Sequence, residues 1–154
     1  VRPEVSYEGQ AAIEFEACCA VGPAGAAYVM PVLDGDEGFV LDPRELIRAL
    51  SADRAGGVPV GEIATAFHAA VAAGTAAACA RAAEQAAVNL VVLSGGVFAN
   101  RRLLEAVLAG LDAHGLRTLV PRRLPVGDGG IAFGQVAVAA ARLRAGLPVD
   151  GAVA

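Results

Sequence analysis

The stretch from Val91 to Gln135 constrains this chain most, because it writes one design twice. An apolar run, Leu90 to Leu93, meets Ser94, Gly95 and Gly96, and a helix opens near Asn100. A strand that turns through glycine into a helix aims free backbone N–H groups at an anion. The second strand, Leu116 to Val120, runs through Pro121 and Pro125 into Gly127-Asp128-Gly129-Gly130 at the head of another helix. Strand, helix, strand, helix from Val88 onward predicts an α/β fold with a sheet at least partly parallel. Two glycine-lined turns then share one sheet edge, and a nucleotide is the first ligand to look for.

Composition removes several alternatives. A chain of 154 residues fits one domain and buries about two thirds of its unfolded surface. With 56% apolar residues and a net charge of −4, it matches neither a disordered segment nor a nucleic-acid binder. It has no Lys, which excludes a P-loop lysine, a Schiff-base lysine and a lysine general base. The first residue is Val1 and no targeting pattern follows, so the chain is expected to be cut from something longer or to have lost its start. Cys18, Cys19 and Cys79 form no C-x-x-C pair, which suits buried thiols in a reducing compartment and excludes a cysteine zinc site. The 18 residues from Ile63 to Ala80 carry no charge. Ala dominates them, with Thr65, His68, Gly74 and Thr75 interspersed, so they read as a buried helix rather than a membrane span.

The elements before the central strand follow from local signals. Ser6 to Ala20 reads as a helix whose early Gly9 is costly, by roughly 1 kcal/mol relative to Ala, unless a ligand or a neighbouring element approaches there. Ala27 to Leu33 and Gly38 to Leu41 are expected as strands joined at Asp34-Gly35-Asp36-Glu37, too short and too poor in ligands for an EF-hand. This hairpin makes the expected sheet mixed. Asp42-Pro43-Arg44-Glu45 is a helix start, with Asp42 as N-cap and Glu45 reaching back. That helix runs to about Arg54, and a long Ala-rich helix follows from Val60 to about Gln85. His68, inside it, reads as a buried or half-buried histidine with a local hydrogen bond.

At the two turns, Gly95 and Gly96 let a ligand reach the backbone. Asn100 suits either a helix cap or an amide offered to a base or sugar. Arg101 and Arg102 stand at the positive end of a helix, explained by solvation or by a nearby phosphate. Asp128 reads either as an N-cap or as a carboxylate for a metal ion that holds phosphate oxygens. Gly130 and Gly134, one turn apart, leave a helix face bare. A dinucleotide fingerprint is absent from the first turn, and Val92 stands where a nucleophile elbow requires Gly. Arg122 and Arg123, at the end of the second strand, would suit an NADP 2'-phosphate, which keeps a dehydrogenase-like reading as a minor alternative.

The runs S-G-G-V-F-A-N-R-R-L-L (Ser94 to Leu104), P-V-G-D-G-G-I-A-F-G-Q (Pro125 to Gln135) and S-Y-E-G-Q-A-A-I (Ser6 to Ile13) resemble the C-terminal part of HypF. These are the carbamoyltransferases of nickel-iron hydrogenase maturation, similar to the enzymes that make threonylcarbamoyladenosine in tRNA. The resemblance implies one lobe of an actin-like, ribonuclease H-like ATPase fold over residues 1–154. It implies a cytoplasmic enzyme that turns carbamoyl phosphate and ATP into a carbamoyl-adenylate and passes the carbamoyl group to the C-terminal cysteine of HypE. By the same resemblance Ser94, Gly95 and Gly96 line the nucleotide, Asn100 contacts the adenosine, Gly9 lies beside it, and Asp128 is a metal ligand. No catalytic residue is assigned. The chain departs from the pattern in lacking the H-x-x-x-H metal pair, since His68 and His114 are its only histidines. The divalent metal site would therefore be completed outside this chain, by the missing N-terminal half of the enzyme, and the 154 residues alone would be inactive. A non-catalytic nucleotide-binding or scaffold remnant, and a related O-carbamoyl or tRNA transferase, are the alternatives.

Overall fold

A computed structural model describes residues 4–22, 27–36 and 38–149 of the chain. It contains helices α1 (Gln10–Ala17), α2 (Arg44–Ala55), α3 (Val60–Gln85), α4 (Arg101–Ala113) and α5 (Ile131–Arg144). The strands are β1 (Val32–Gly35), β2 (Gly38–Leu41), β3 (Leu90–Val92) and β4 (Arg117–Leu119), and short 3-10 turns span Gly96–Ala99 and Asp128–Gly130. The chain divides into a larger unit, up to Val92 together with Asn100–Leu119, and a smaller one, Leu93–Ala99 together with residues from Val120 on.

The larger unit is built on α3. Alanine is the best helix former, and here it also forms the core: Ala64, Ala66, Ala70, Ala72, Ala76 and Ala83 are buried with Ile63. Small side chains let neighbours come close. A Cβ on Gly110 of α4 would stand 2.8 Å from the Ala76 Cβ, and one on Gly74 would stand 2.7 Å from the Met30 carbonyl oxygen. A Cβ on Gly61 would stand 2.7 Å from the Cys18 carbonyl. Leu103, Val107 and Leu111, four apart along α4, are buried, and α4 makes the broadest contact with α3. Half of the most apolar stretch of α3 is inside the fold, so the charge-free run works as a core helix, as expected. Tyr28 adds a tie, its hydroxyl donating to Asp53 Oδ2 at 2.6 Å.

The expected single mixed sheet is corrected. Among the described residues there are two two-stranded sheets, β1 antiparallel to β2 and β3 parallel to β4. The hairpin strands use their hydrogen bonds on each other, from Val32↔Leu41 to Gly35↔Gly38, while β3 and β4 pair from Leu90↔Arg117 to Val92↔Leu119. With Asp34 and Gly35 inside β1, only Asp36 of the expected turn is left as one among the described residues, and Glu37 lies outside them.

The first helix ends earlier than expected, at Ala17, and it also starts later, for which the reason is Gly9. Its φ of 81° places it at the N-cap, outside the helix, in the left-handed region that glycine enters without a steric penalty. A backbone requirement therefore accounts for this glycine. Asp42 is also displaced from its expected role: Pro43 occupies the N-cap position of α2. Asp42 still caps from one residue further out, since its Oδ1 accepts the Arg44 N–H at 3.0 Å. The Arg44 Nε donates to both carboxylate oxygens, at 2.8 and 2.9 Å. Glu45 is exposed and makes no reciprocal bond.

These bonds from Arg44 hold the Asp42 carboxyl down at about 2, below the ordinary value of about 3.9. The folded state thus binds this proton less readily than the unfolded chain. Its stabilisation is complete above about pH 4 and is lost as pH falls toward 2. Denaturant midpoints taken from pH 7 down to pH 2 should therefore fall more steeply for the unmodified chain than for Asp42→Asn; parallel curves would remove the linkage.

Candidate functional site

In the smaller unit the first turn is built from Ser94, Gly95 and Gly96. Gly95 has φ 102°, a conformation that a side chain makes costly, and its N–H donates to the Val126 carbonyl at 2.7 Å. Its own carbonyl accepts the Phe98 N–H at 3.1 Å, closing the 3-10 turn. Among the described residues the N–H groups of Gly96 and Val97 find no backbone acceptor, as the opening donors of a helical turn do not. A Cβ on Gly96 would meet nothing within 4 Å, so the space on that side of Gly96 is open.

The second turn lies against the first. A Cβ on Gly127 would stand 3.4 Å from the Gly96 Cα, and one on Gly130 would stand 2.6 Å from the Pro125 carbonyl oxygen. Gly130 is thus a packing glycine rather than half of a bare face, and it stands at the N-cap of α5. Gly134 does face open space. Ser94, Gly95, Gly127, Asp128 and Ile131 help to line a cleft of about 320 Å³. The N-cap reading of Asp128 is corrected: it is the first residue of its 3-10 turn, Gly127 holds the cap position, and no side-chain cap bond forms. Its carboxylate is exposed and makes no hydrogen bond to a described residue. Among the described residues no three metal-ligating side chains cluster. One carboxylate does not hold a cation, so the described residues fit a metal at this turn as the supplier of one ligand.

Gly9 and Asn100 belong to the larger unit. Asn100 is the N-cap of α4, its Oδ1 accepting the Leu103 N–H at 2.8 Å. Its Nδ2 donates to His68 Nε2 at 2.9 Å. His68 is 4% exposed, and its Nδ1 donates to the Ala64 carbonyl at 2.7 Å, the local bond expected of a buried histidine. Cys19 Sγ lies 3.5 Å from the same Nδ1, and burial pushes the Cys19 thiol up. The thiol is therefore held protonated. Of the other cysteines, Cys79 is half-buried and Cys18 is exposed, against the expectation of three buried thiols. The arginines have protein partners as well: Arg101 Nε donates to Glu105 at 2.7 Å, and Arg102 Nη2 donates to the Ala20 carbonyl at 3.0 Å. Arg122 and Arg123 are exposed.

Residues 1–135 match the family described as carbamoyltransferase, Kae1-like domain, second subdomain. The chain belongs to this family. It is 40% identical over 140 residues to the carbamoyltransferase HypF of Rhizobium leguminosarum bv. viciae, covering 90% of this chain and 17% of that protein. Against the carbamoyltransferase HypF of Rhodobacter capsulatus it is 36% identical over 139 residues, again 90% of this chain and 17% of the relative. Full-length HypF solved in a phosphate- and nucleotide-bound form superposes with a TM-score of 0.84 at 33% identity, over 92% of this chain and 18% of that one. HypF of T. kodakarensis gives a TM-score of 0.79 at 28% identity, over 96% and 19%. The mixed α/β fold is thus that of the HypF carbamoyltransferases over about a sixth of their length.

Bond geometry separates the two adjacent glycines of the first turn. Gly95→Ala forces a side chain into the positive-φ region and should cost about 1 to 3 kcal/mol. Gly96→Ala enters open space at an ordinary φ and should stay within about 0.5 kcal/mol of the parent. Chemical denaturation of the two variants checks this; equal losses would mean that the turn is not strained as described.

Proposed function

We propose that this chain supplies part of the nucleotide site of an ATP-dependent carbamoyltransferase of hydrogenase maturation. In that reading it forms part of one lobe of an actin-like ATPase fold in a cytoplasmic enzyme. Carbamoyl phosphate, ATP and water give a carbamoyl-adenylate with release of phosphate and pyrophosphate, and the carbamoyl group then passes to the C-terminal cysteine thiol of a HypE-like acceptor protein with release of AMP. The observation that carries the reading is the first turn, where among the described residues the N–H groups of Gly96 and Val97 lack acceptors and a Cβ on Gly96 would meet nothing within 4 Å. Such a turn suits phosphate oxygens, because backbone N–H groups donate to an anion at fixed positions without reorganising. Ser94, Gly95 and Gly96 then line the nucleotide, Asn100 offers its amide to the adenosine, and Gly9 lies beside the ligand. Membership of the carbamoyltransferase family supports the reaction class.

Asp128 is assigned as one metal ligand of a site completed outside this chain. When bound, a divalent cation would neutralise phosphate charge there. The remaining chemistry of these residues is positioning, in which a phosphoryl or acyl centre is held in near-attack geometry by donors fixed in the backbone.

In the full-length enzyme that carries this chain, Gly96→Val puts a branched side chain where the nucleotide approaches and should weaken ATP binding by about 1 to 3 kcal/mol, the usual cost of overpacking. Calorimetric titration with ATP is the measurement. Unchanged affinity in a folded variant would discard the turn as the nucleotide site.

Asp128→Asn tests the metal assignment separately. The carboxylate holds nothing in the fold, so melting should barely move while bound divalent metal drops by at least about tenfold, because Asn brings no charge to a hard cation. Elemental analysis of the purified enzyme that found full metal content would refute the assignment.

A further inference from the structure

The strongest unassigned feature is a polar chain buried in the larger unit. It runs from the Ala64 carbonyl through His68 and Asn100 to the backbone N–H of Leu103. Each bond fixes the next. A 2.7 Å contact with a carbonyl oxygen requires a proton on Nδ1 of His68. The neutral ring then presents Nε2 as an acceptor, matched to the Nδ2–H of Asn100. The Asn100 Oδ1 is taken up by the α4 cap, so the carboxamide is held at both ends. One N–H and one lone pair of the amide remain, on a side chain that is only half-buried.

The imidazole plane is fixed as firmly as its tautomer. The ring centroid of Phe15 lies 5.7 Å away and that of Phe67 5.6 Å away. With both nitrogens used and 4% exposure, His68 has no free position for a metal or for a substrate proton. Its remaining role is to hold Asn100.

We propose that His68 is a positioning residue that pins the Asn100 carboxamide, so that its spare donor and acceptor meet a nucleoside in one orientation. This rests on the reading of Asn100 as a nucleotide contact given above. A side chain pinned before the ligand arrives loses less rotamer freedom on binding, which appears as affinity.

The test uses the full-length enzyme that carries this chain, with ATP and carbamoyl phosphate as the varied substrates. His68→Phe removes the acceptor, and His68→Met, which fills a similar space flexibly, serves if the Phe variant does not fold. Either should raise the KM for ATP by about two- to tenfold, the range one neutral hydrogen bond sets, and leave the KM for carbamoyl phosphate unchanged. His68→Gln, whose Oε1 restores an acceptor near the position of Nε2, should bring the KM for ATP back toward the parent value. Combined with Asn100→Ala, His68→Phe should add nothing further, because both remove one coupled unit. An Asn100→Ala enzyme with unaltered ATP affinity would defeat the nucleotide reading of Asn100 and this inference with it. If Asn100→Ala weakens ATP and a folded His68→Phe does not, the inference alone falls. Additive effects, or equal rises in both KM values, would also overturn it.

Discussion

The structure of the larger unit depends on how closely other segments approach α3. Three contacts set that distance: the Cys18 carbonyl over Gly61, the Met30 carbonyl over Gly74, and Gly110 of α4 against Ala76. At each, one added methyl group would intrude on backbone or side-chain atoms at under 3 Å. A close-packed interior cannot absorb that without moving an element. The Ala and Gly bias of α3 is therefore a geometric specification, fixing the end of α1, the hairpin and α4 relative to one helix. The bond between His68 on α3 and Asn100 at the head of α4 follows, because 2.9 Å between two side chains leaves little room for either helix to shift.

Polar groups are treated differently in the two units. In the larger unit the buried ones are satisfied: Gln10 accepts from the Ser6 N–H at 2.7 Å, and Thr65 donates to Gly61 at 2.8 Å. Among the described residues no buried side-chain nitrogen or oxygen lacks a partner. Around the two turns of the smaller unit the opposite holds, with the Gly96 and Val97 N–H groups and the Asp128 carboxylate all uncommitted. Water compensates them only because they are exposed. Unmet hydrogen-bonding capacity beside open space is the chemical content of a ligand site, and it belongs to residues that the core does not need.

What the sequence made legible follows the range of each interaction. Helix α3 was bounded correctly at Val60 and Gln85, because a proline start and a sustained Ala run are local signals. Asn100 was legible as a cap for the same reason. The join between His68 and Asn100 was not, since residues 32 apart on different helices share no periodicity. Asp42 and Asp128 show a subtler failure, for an acid before a helix signals capping without saying which residue occupies the cap. Pro43 and Gly127 took those positions. The single mixed sheet failed because strand propensity does not specify partners, and a hairpin of four-residue strands satisfies itself before it meets a third strand.

The smaller unit also shows why its turns are held by backbone bonds rather than by a core. None of the residues of α5 is buried, and Ile131, Phe133, Val136, Val138 and Leu143 are all more than half exposed. Apolar burial scales with area removed from water, so this helix contributes little of it within its own unit. What fixes the first turn is then local: the Gly95 N–H on Val126, the Phe98 N–H on Gly95, and the close seat of Gly127 on Gly96. A segment with few buried contacts opens at low free energy. A ligand that binds only the closed turn stabilises it in proportion to the logarithm of its concentration over Kd. In the proposed reading, an anion seated on the Gly96 and Val97 N–H groups would add its binding free energy to these local bonds and hold a turn whose donors are already in place.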